Sequence, residues 1–79
     1  MAMRGVVVTG SAGGIGDAVI RRLLSTQGDL VCAAVDLQEG HAKALQESFG
    51  HNRVIEVLCD VRSQSEVANA SRLIDERCP

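Results

Sequence analysis

The residues whose types and spacing most clearly indicate a binding site form a run of small side chains near the N-terminus. The run is Thr9-Gly-Ser-Ala-Gly-Gly-Ile-Gly16. The run follows consecutive β-branched residues, which predict a strand, and it precedes a segment with helical periodicity. Glycines at such a turn let an anion approach the backbone, and the free amides at the helix start attract a phosphate. Glycine-rich turns also serve as plain connections, so a pyrophosphate site needs a second signal.

That second signal is Asp36, which lies twenty positions after Gly16 at the end of the next apolar run. A carboxylate at this place can accept hydrogen bonds from both adenosine ribose hydroxyls of a dinucleotide. It would repel a 2′-phosphate, and the following Leu37 and Gln38 offer no cation. The pattern therefore favours NAD(H) over NADP(H). The alternative is a solvated Asp before a turn.

Three features together resemble the short-chain dehydrogenase/reductase family: the glycine-rich run, Asp36 and a segment after the third apolar run. Thr9-Gly10-x-x-x-Gly14-Ile15-Gly16 is similar to its nucleotide-binding signature, and Cys59-Asp60-Val61 is similar to its adenine-binding segment. In that segment an Asp side chain meets the adenine amino group and the next residue's backbone completes the contact. The resemblance implies a turn-stabilising Thr9 and these cofactor-binding residues: Gly10, Ser11, Gly14, Ile15, Gly16, Asp36, Asp60 and Val61. Taken alone, Asp60 could equally be a helix cap.

The same resemblance identifies what the chain does not carry. The family's Asn-Asn-Ala-Gly segment, its catalytic Ser and its Tyr-x-x-x-Lys pair have no counterpart; the sequence has no Tyr, and its one lysine is Lys43. In the family the Tyr is the general acid/base, while the Lys lowers its pKa and holds the nicotinamide ribose. We therefore assign no catalytic residue, and we expect the chain to be the first third of such an enzyme, inactive by itself.

The remaining reactive side chains predict no further site. His41 and His51 are ten residues apart with no third ligand or orienting acid, which predicts exposed or capping roles. No base is placed to activate Ser11 as a nucleophile. The three cysteines are widely spaced and form no Cys-x-x-Cys pair, so we expect reduced thiols and neither a metal site nor a disulfide framework. They are Cys32, Cys59 and Cys78.

The elements that must position these residues alternate along the chain. Apolar runs predict strands over 4–9, 30–36 and 53–58, and amphipathic segments predict helices over 14–27, 38–49 and from a Ser63 capping box to about 77. Consecutive apolar residues within a strand are typical of a parallel sheet that is covered on both faces. The predicted fold is a Rossmann-type three-layer α/β fold in β-α-β-α-β-α order. Residues 1–79 would be a partial dinucleotide-binding domain, the N-terminal half only.

The handedness of the crossovers predicts which face each helix covers. The first two helices should share one face, and the third should cross to the other, which then stays partly uncovered. An inward stripe is expected on the first helix, consisting of Ile15, Ala18, Val19, Leu23 and Leu24. The incomplete cover suggests a homo-oligomer or a missing C-terminal segment.

Composition restricts the class of protein. The chain has 79 residues and a net charge of −2, which argues against a nucleic-acid or anionic-membrane surface. It has no apolar run of the ~20 residues that a membrane span needs and no signal-peptide pattern. With the resemblance, we expect a cytoplasmic NAD(H)-dependent oxidoreductase that transfers hydride between nicotinamide and a small alcohol or carbonyl substrate. The alternatives are a stand-alone, non-catalytic NAD-binding or sensor module, and a fragment inactive on its own.

Overall fold

Strands and helices alternate throughout the computed structural model, which describes residues 3–79. The three strands pair in parallel in the order β1-β2-β3, with Val6 opposite Cys32 and Cys32 opposite Val54. The predicted Rossmann-type βα alternation is confirmed. The elements are β1 (Arg4–Thr9), α1 (Gly14–Thr26), β2 (Leu30–Asp36), α2 (Lys43–Phe49), β3 (Val54–Leu58) and α3 (Gln64–Arg77).

The central strand β2 separates two apolar cores. On one face, Cys32 and Ala34 lie under α1 and α2, which contribute the buried Ile20 and Leu45. On the opposite face the alternate residues of β2 pack with β3 and with Ala70 of α3. Helices therefore cover both faces of the sheet, as the crossover rule predicts. This arrangement buries every residue from Leu30 to Val35, and it explains why β2 is continuously apolar.

The inward face of α1 differs from the predicted stripe. Ile20 and Leu24 are buried, whereas Ile15 is 85% exposed and Val19 is 43% exposed. Ala18 is exposed as well, so the expectation for Ile15, Ala18 and Val19 is wrong. Helical spacing identifies a stripe but not the strand beneath it, and α1 packs more over β2 than over the edge strand β1. This position directs the Ile20–Leu24 ridge inward.

Helix α2 begins at Lys43, five residues later than the predicted start at 38. Gly40 has a φ of +82°, a left-handed conformation that does not fit a right-handed helix. The Glu56 carboxylate of β3 holds the preceding turn, because it accepts hydrogen bonds from the amides of Gly40 (3.1 Å) and Ala42 (2.8 Å). Residues 37–42 are therefore a braced connection beside the end of β3.

Arg53, just before β3, closes the C-terminal end of α1. Its guanidinium donates to the carbonyl oxygens of Leu24 (3.1 Å), Gln27 (2.7 Å) and Leu30 (3.2 Å). The last turn of α1 has no basic residue of its own. Arg53 thus supplies the positive charge that a helix C-terminus favours and satisfies its terminal carbonyls.

The start of α3 confirms half of the predicted capping box. The Ser63 hydroxyl accepts a hydrogen bond from the Glu66 amide at 3.3 Å. The Glu66 carboxylate accepts from the amide of Asp60 (3.0 Å) instead of that of Ser63, which donates to the Asp60 carbonyl oxygen. Glu66 therefore ties the helix start to the segment that follows β3.

Strand β1 is an edge strand that pairs with β2 alone. Its Val6 and Val8 pack against the α1 side, while Val7 on the α3 side is 48% exposed. Helix α3 therefore leaves its face of the sheet partly uncovered at β1, as expected from the sequence. Among residues 3–79, no helix combines the length and the apolar character that crossing a bilayer requires.

Candidate functional site

The C-terminal ends of the three parallel strands meet at one edge of the sheet. Gly10 follows β1, Asp36 ends β2, and Asp60 and Val61 come after β3. These four predicted site residues share a cavity of about 200 Å³. Ligands of open α/β sheets bind at this edge, outside the carboxyl ends of the strands. The cavity is smaller than the ~300 Å³ typical of whole drug-sized ligands, and its size suits one part of a larger molecule.

The glycine-rich turn has a conformation that requires glycine at two positions. Gly10 has a φ of +68°, in the left-handed region, and its carbonyl oxygen accepts from the Gly13 amide at 3.1 Å. A Cβ on Gly16 would collide with the Gly10 carbonyl oxygen and approach the Ser11 Cα to 3.0 Å. The start of α1 therefore packs directly against the turn.

The backbone amides of the turn fall into two groups. Those of Ser11 and Ala12 are used inside the fold, by the Val35 carbonyl oxygen (3.2 Å) and the Asp36 carboxylate (2.8 Å). Those of the predicted residues Gly14, Ile15 and Gly16 lie in the first turn of α1, where a helix provides no carbonyl partner. The second group is the set of donors available to an anion.

Asp36 connects the end of β2 to the turn. Its Oδ1 accepts from the Leu37 amide at 2.7 Å and its Oδ2 from the Ala12 amide at 2.8 Å. These two amides hold the pKa of Asp36 below its usual value, so the carboxylate is ionised at neutral pH. Each carboxylate oxygen has a second lone pair, so Asp36 can still accept from a ligand hydroxyl.

Asp60 is paired with Arg62, a residue that the sequence analysis did not single out. The guanidinium donates from Nε to Oδ1 (3.0 Å) and from Nη2 to Oδ2 (2.9 Å), and the Arg62 amide also donates to Oδ1 (2.9 Å). Hydrogen bonds from Arg62 lower the pKa of Asp60. The Arg62 side chain is otherwise 83% exposed. Both residues line the cavity.

His41 lies half-buried beneath the turn, and the expectation of an exposed or capping residue is wrong. Its Nδ1 is 3.2 Å from the Ser11 hydroxyl oxygen, and its Nε2 is 3.2 Å from the Val57 carbonyl oxygen. The expectation that no base lies beside Ser11 is therefore also wrong. Ser11 is itself only 1% exposed. The late start of α2 brings His41 to this place, and residue spacing carries no signal for it. His51, by contrast, is exposed as expected.

Other features lie beside the strand-end cavity or away from it. A larger groove of about 460 Å³ runs along α1; its lining includes Gly14 and Ile15 at the start of the helix but neither Asp36 nor Asp60. Lys43 is exposed at the start of α2. Cys32 and Cys59 are buried, and burial raises the pKa of the Cys32 thiol to about 11. Within residues 3–79, no three His, Cys, Asp or Glu side chains are grouped as metal ligands.

Comparison with known proteins gives one family match. Residues 4–79 match the family described as short chain dehydrogenase. No curated protein matches the chain.

Two solved structures are similar over 95% of this chain. The crystal structure of the KRED1-Pglu enzyme has a TM-score of 0.84 at 23% identity, and the chain covers 31% of it. The L-sorbose reductase from Gluconobacter frateurii, complexed with NADPH and L-sorbose, has a TM-score of 0.73 at 29% identity, and the chain covers 29% of it. The chain thus spans about a third of the length of these structures.

Proposed function

Because the chain belongs to the short chain dehydrogenase family, we propose that it binds the adenosine diphosphate half of NAD(H) in an oxidoreductase. The reaction is hydride transfer between the nicotinamide and an alcohol or carbonyl carbon of a small molecule. The observation that carries the proposal is the ionised Asp36, which lines the strand-end cavity and is hydrogen-bonded to the glycine-rich turn.

The residues present fit the ADP portion of such a cofactor. A Cβ built on Gly14 would meet no atom within 4 Å, so the space beside the first turn of α1 is open. A pyrophosphate can enter this space and accept from the amides of Gly14, Ile15 and Gly16, where the helix dipole also favours negative charge. Asp36 then has free lone pairs for the ribose hydroxyls. Asp60 and Val61 provide a carboxylate and backbone groups for adenine.

The part of this chain in the reaction is binding and orientation. The turn amides hold the pyrophosphate, Asp36 orients the ribose, and the strand-end cavity receives the adenine. When bound, the nicotinamide would donate or accept the hydride. None of the 79 residues is a Tyr, so a phenolic general acid does not come from them. We assign no catalytic residue here and expect the isolated chain to be inactive. We further propose that the enzyme is cytoplasmic, and that a homo-oligomer contact or a further segment covers the exposed part of the sheet.

The choice of NAD(H) over NADP(H) depends on charge. Asp36 repels a 2′-phosphate because its carboxylate is ionised and because Leu37 and Gln38 after it carry no charge. Arg62 is a cation in the same cavity, but its guanidinium is held by Asp60. The similar sorbose reductase is complexed with NADPH, so this preference must be measured directly.

Calorimetry of the full chain with ADP-ribose, NAD⁺ and NADP⁺ tests the proposal. We expect ADP-ribose and NAD⁺ to bind with similar affinity, because the proposed contacts are all with the ADP half. NADP⁺ should bind about tenfold more weakly or worse, which corresponds to ~1.4 kcal/mol of charge repulsion. Absence of ADP-ribose binding by the folded chain would overturn the proposed function, and tighter binding of NADP⁺ would overturn the cofactor preference.

A further inference from the structure

His41 joins the ends of two strands through both nitrogens of its ring. Nε2 lies 3.2 Å from the Val57 carbonyl oxygen at the end of β3, and Nδ1 lies 3.2 Å from the Ser11 hydroxyl after β1. A carbonyl oxygen can only accept, so Nε2 carries the hydrogen. In the neutral ring Nδ1 is then an acceptor, and the Ser11 hydroxyl donates to it. The contact defines one tautomer of His41.

Ser11 transmits the position of this ring to the phosphate-binding turn. The residue is 1% exposed, so its side chain lies beneath the turn and faces the imidazole. Its own amide is tied to the Val35 carbonyl oxygen, and the next amide, that of Ala12, is tied to Asp36. A change at His41 therefore acts on the segment that leads into the anion-binding start of α1.

Two carboxylates face His41 from the strands packed against it. Asp36 comes from the end of β2 and Glu56 from β3, while the β1–α1 turn contributes the uncharged Ser11. After its backbone amide partners, His41 is a further cause that lowers the pKa of Asp36. For Glu56, burial acts to raise the pKa, but two backbone amides and His41 together hold it below its usual value. The two charged side chains that face the ring are therefore both carboxylates.

We propose that His41 is a positioning residue of the dinucleotide site, which in its neutral form holds the turn through Ser11 and on protonation strengthens pyrophosphate binding. When Nδ1 takes a proton from solvent it becomes a donor, and the Ser11 oxygen becomes the acceptor. The contact is kept and the hydroxyl hydrogen turns away. One positive charge is added beneath the turn that faces the two phosphate charges. This inference rests on the proposed function, and it adds a pH dependence that the glycine-rich turn alone would not have.

Calorimetric titration of the full chain with ADP-ribose at about pH 8.5 and about pH 5.5 tests the effect of a charge on the ring. We expect about five- to tenfold tighter binding at the lower pH, the scale of one charge acting over several ångströms near a protein surface. His41→Gln keeps a donor of similar reach but does not titrate, so its affinity should not change with pH. His51→Gln removes an exposed His and should keep the wild-type dependence.

A measurement without ligand separates this inference from the proposed function. Ring ¹⁵N shifts of His41 should show the Nε2–H tautomer at about pH 8.5, and the amide resonance of Ser11 should change with pH together with the His41 ring signals. If ADP-ribose does not bind, the proposed function fails, and these shifts alone decide whether His41 holds the turn. An Nδ1–H tautomer, or full pH dependence in His41→Gln, would overturn the inference. If His41→Gln does not fold, His41→Asn, whose amide can still meet the Ser11 hydroxyl, replaces it.

Discussion

The Asp36 carboxylate accepts a hydrogen bond at 2.8 Å from the amide of Ala12, which lies 24 residues earlier in the chain. The same carboxylate also accepts a hydrogen bond at 2.7 Å from the backbone amide of Leu37, the residue that follows Asp36. One side chain therefore braces the glycine-rich turn and presents a negative charge to the strand-end cavity. Its structural role and its proposed role in cofactor choice are linked.

Replacement of Asp36 by Asn should weaken NAD⁺ binding. It should also reduce the ratio of the affinity for NAD⁺ to that for NADP⁺. A hydrogen bond to a charged group contributes about 1.5–3 kcal/mol, so the affinity for NAD⁺ should fall about 10- to 100-fold. NADP⁺ should lose less, because the repulsion of its 2′-phosphate is removed as well. Calorimetry with both dinucleotides measures the change. Asp75→Asn, at an exposed position of α3, is the control, and equal losses for the two cofactors would contradict the assignment.

Substitution of Gly16 by Ala should destabilise the fold, since the new Cβ would collide with the Gly10 carbonyl oxygen. Overpacking of this kind costs about 1–3 kcal/mol. Urea unfolding followed by circular dichroism gives the free energy of unfolding. In the matched variant Gly28→Ala the Cβ meets nothing within 4 Å, and stability should be nearly unchanged. If both variants were equally stable, the close packing of α1 on the turn would be refuted.

Loss of the Arg53 guanidinium should destabilise the protein without directly touching the cofactor cavity. In Arg53→Met the carbonyl oxygens of Leu24 and Gln27 (2.7 Å) at the end of α1, and that of Leu30 at the start of β2, lose this donor. We expect a decrease of about 2–3 kcal/mol in the free energy of unfolding. Arg22→Met removes an exposed Arg from the same helix and should change stability by less than ~0.5 kcal/mol. A similar small effect at Arg53 would show that water replaces its hydrogen bonds.

Acid should remove a contribution to stability made by Asp29. Arg4 donates to both of its carboxylate oxygens, and this hydrogen bonding lowers the pKa of Asp29 in the folded protein. The Asp29 carboxyl therefore binds a proton more tightly in the unfolded chain than in the folded protein. Its contribution to the free energy of unfolding is present above about pH 3.9 and is lost as the pH falls through the lower pKa of the folded protein. Asp29→Asn should show a shallower loss of stability on acidification in urea titrations from neutral pH downward. Asp75→Asn should follow the wild-type curve; an unchanged slope in Asp29→Asn would argue against the ion pair.

Sequence patterns predicted the parts of the fold that depend on local residue type. The apolar runs located β1 and β2 at their observed bounds, and the Ser63 cap located the start of α3. The start of α2 could not be found in this way, because Glu56 of β3 holds the turn that delays it. The inward face of α1 was equally inaccessible, since it depends on which strand lies beneath the helix.

In the candidate site, too, features that depend on local residue type could be predicted, and features that depend on contacts between distant elements could not. Asp36 was identifiable because the end of an apolar strand and its distance from the glycines are both visible in the sequence. His41 was not, because its neighbours Ser11 and Val57 come from other elements and only the folded chain brings them together. Arg62 was missed for a simpler reason: an Arg in a polar loop is ordinarily a solvated side chain.

Three of the hydrogen bonds that assemble the site cross long stretches of chain, which has consequences for folding kinetics. Ser11 and His41 are 30 residues apart, Ala12 and Asp36 are 24 apart, and His41 and Val57 are 16 apart. Parallel strands have no hairpin that could form first, so these contacts form only when the strands that carry them dock. We therefore expect local opening of any one strand to break part of the site. A bound dinucleotide would therefore report the last, cooperative step of folding.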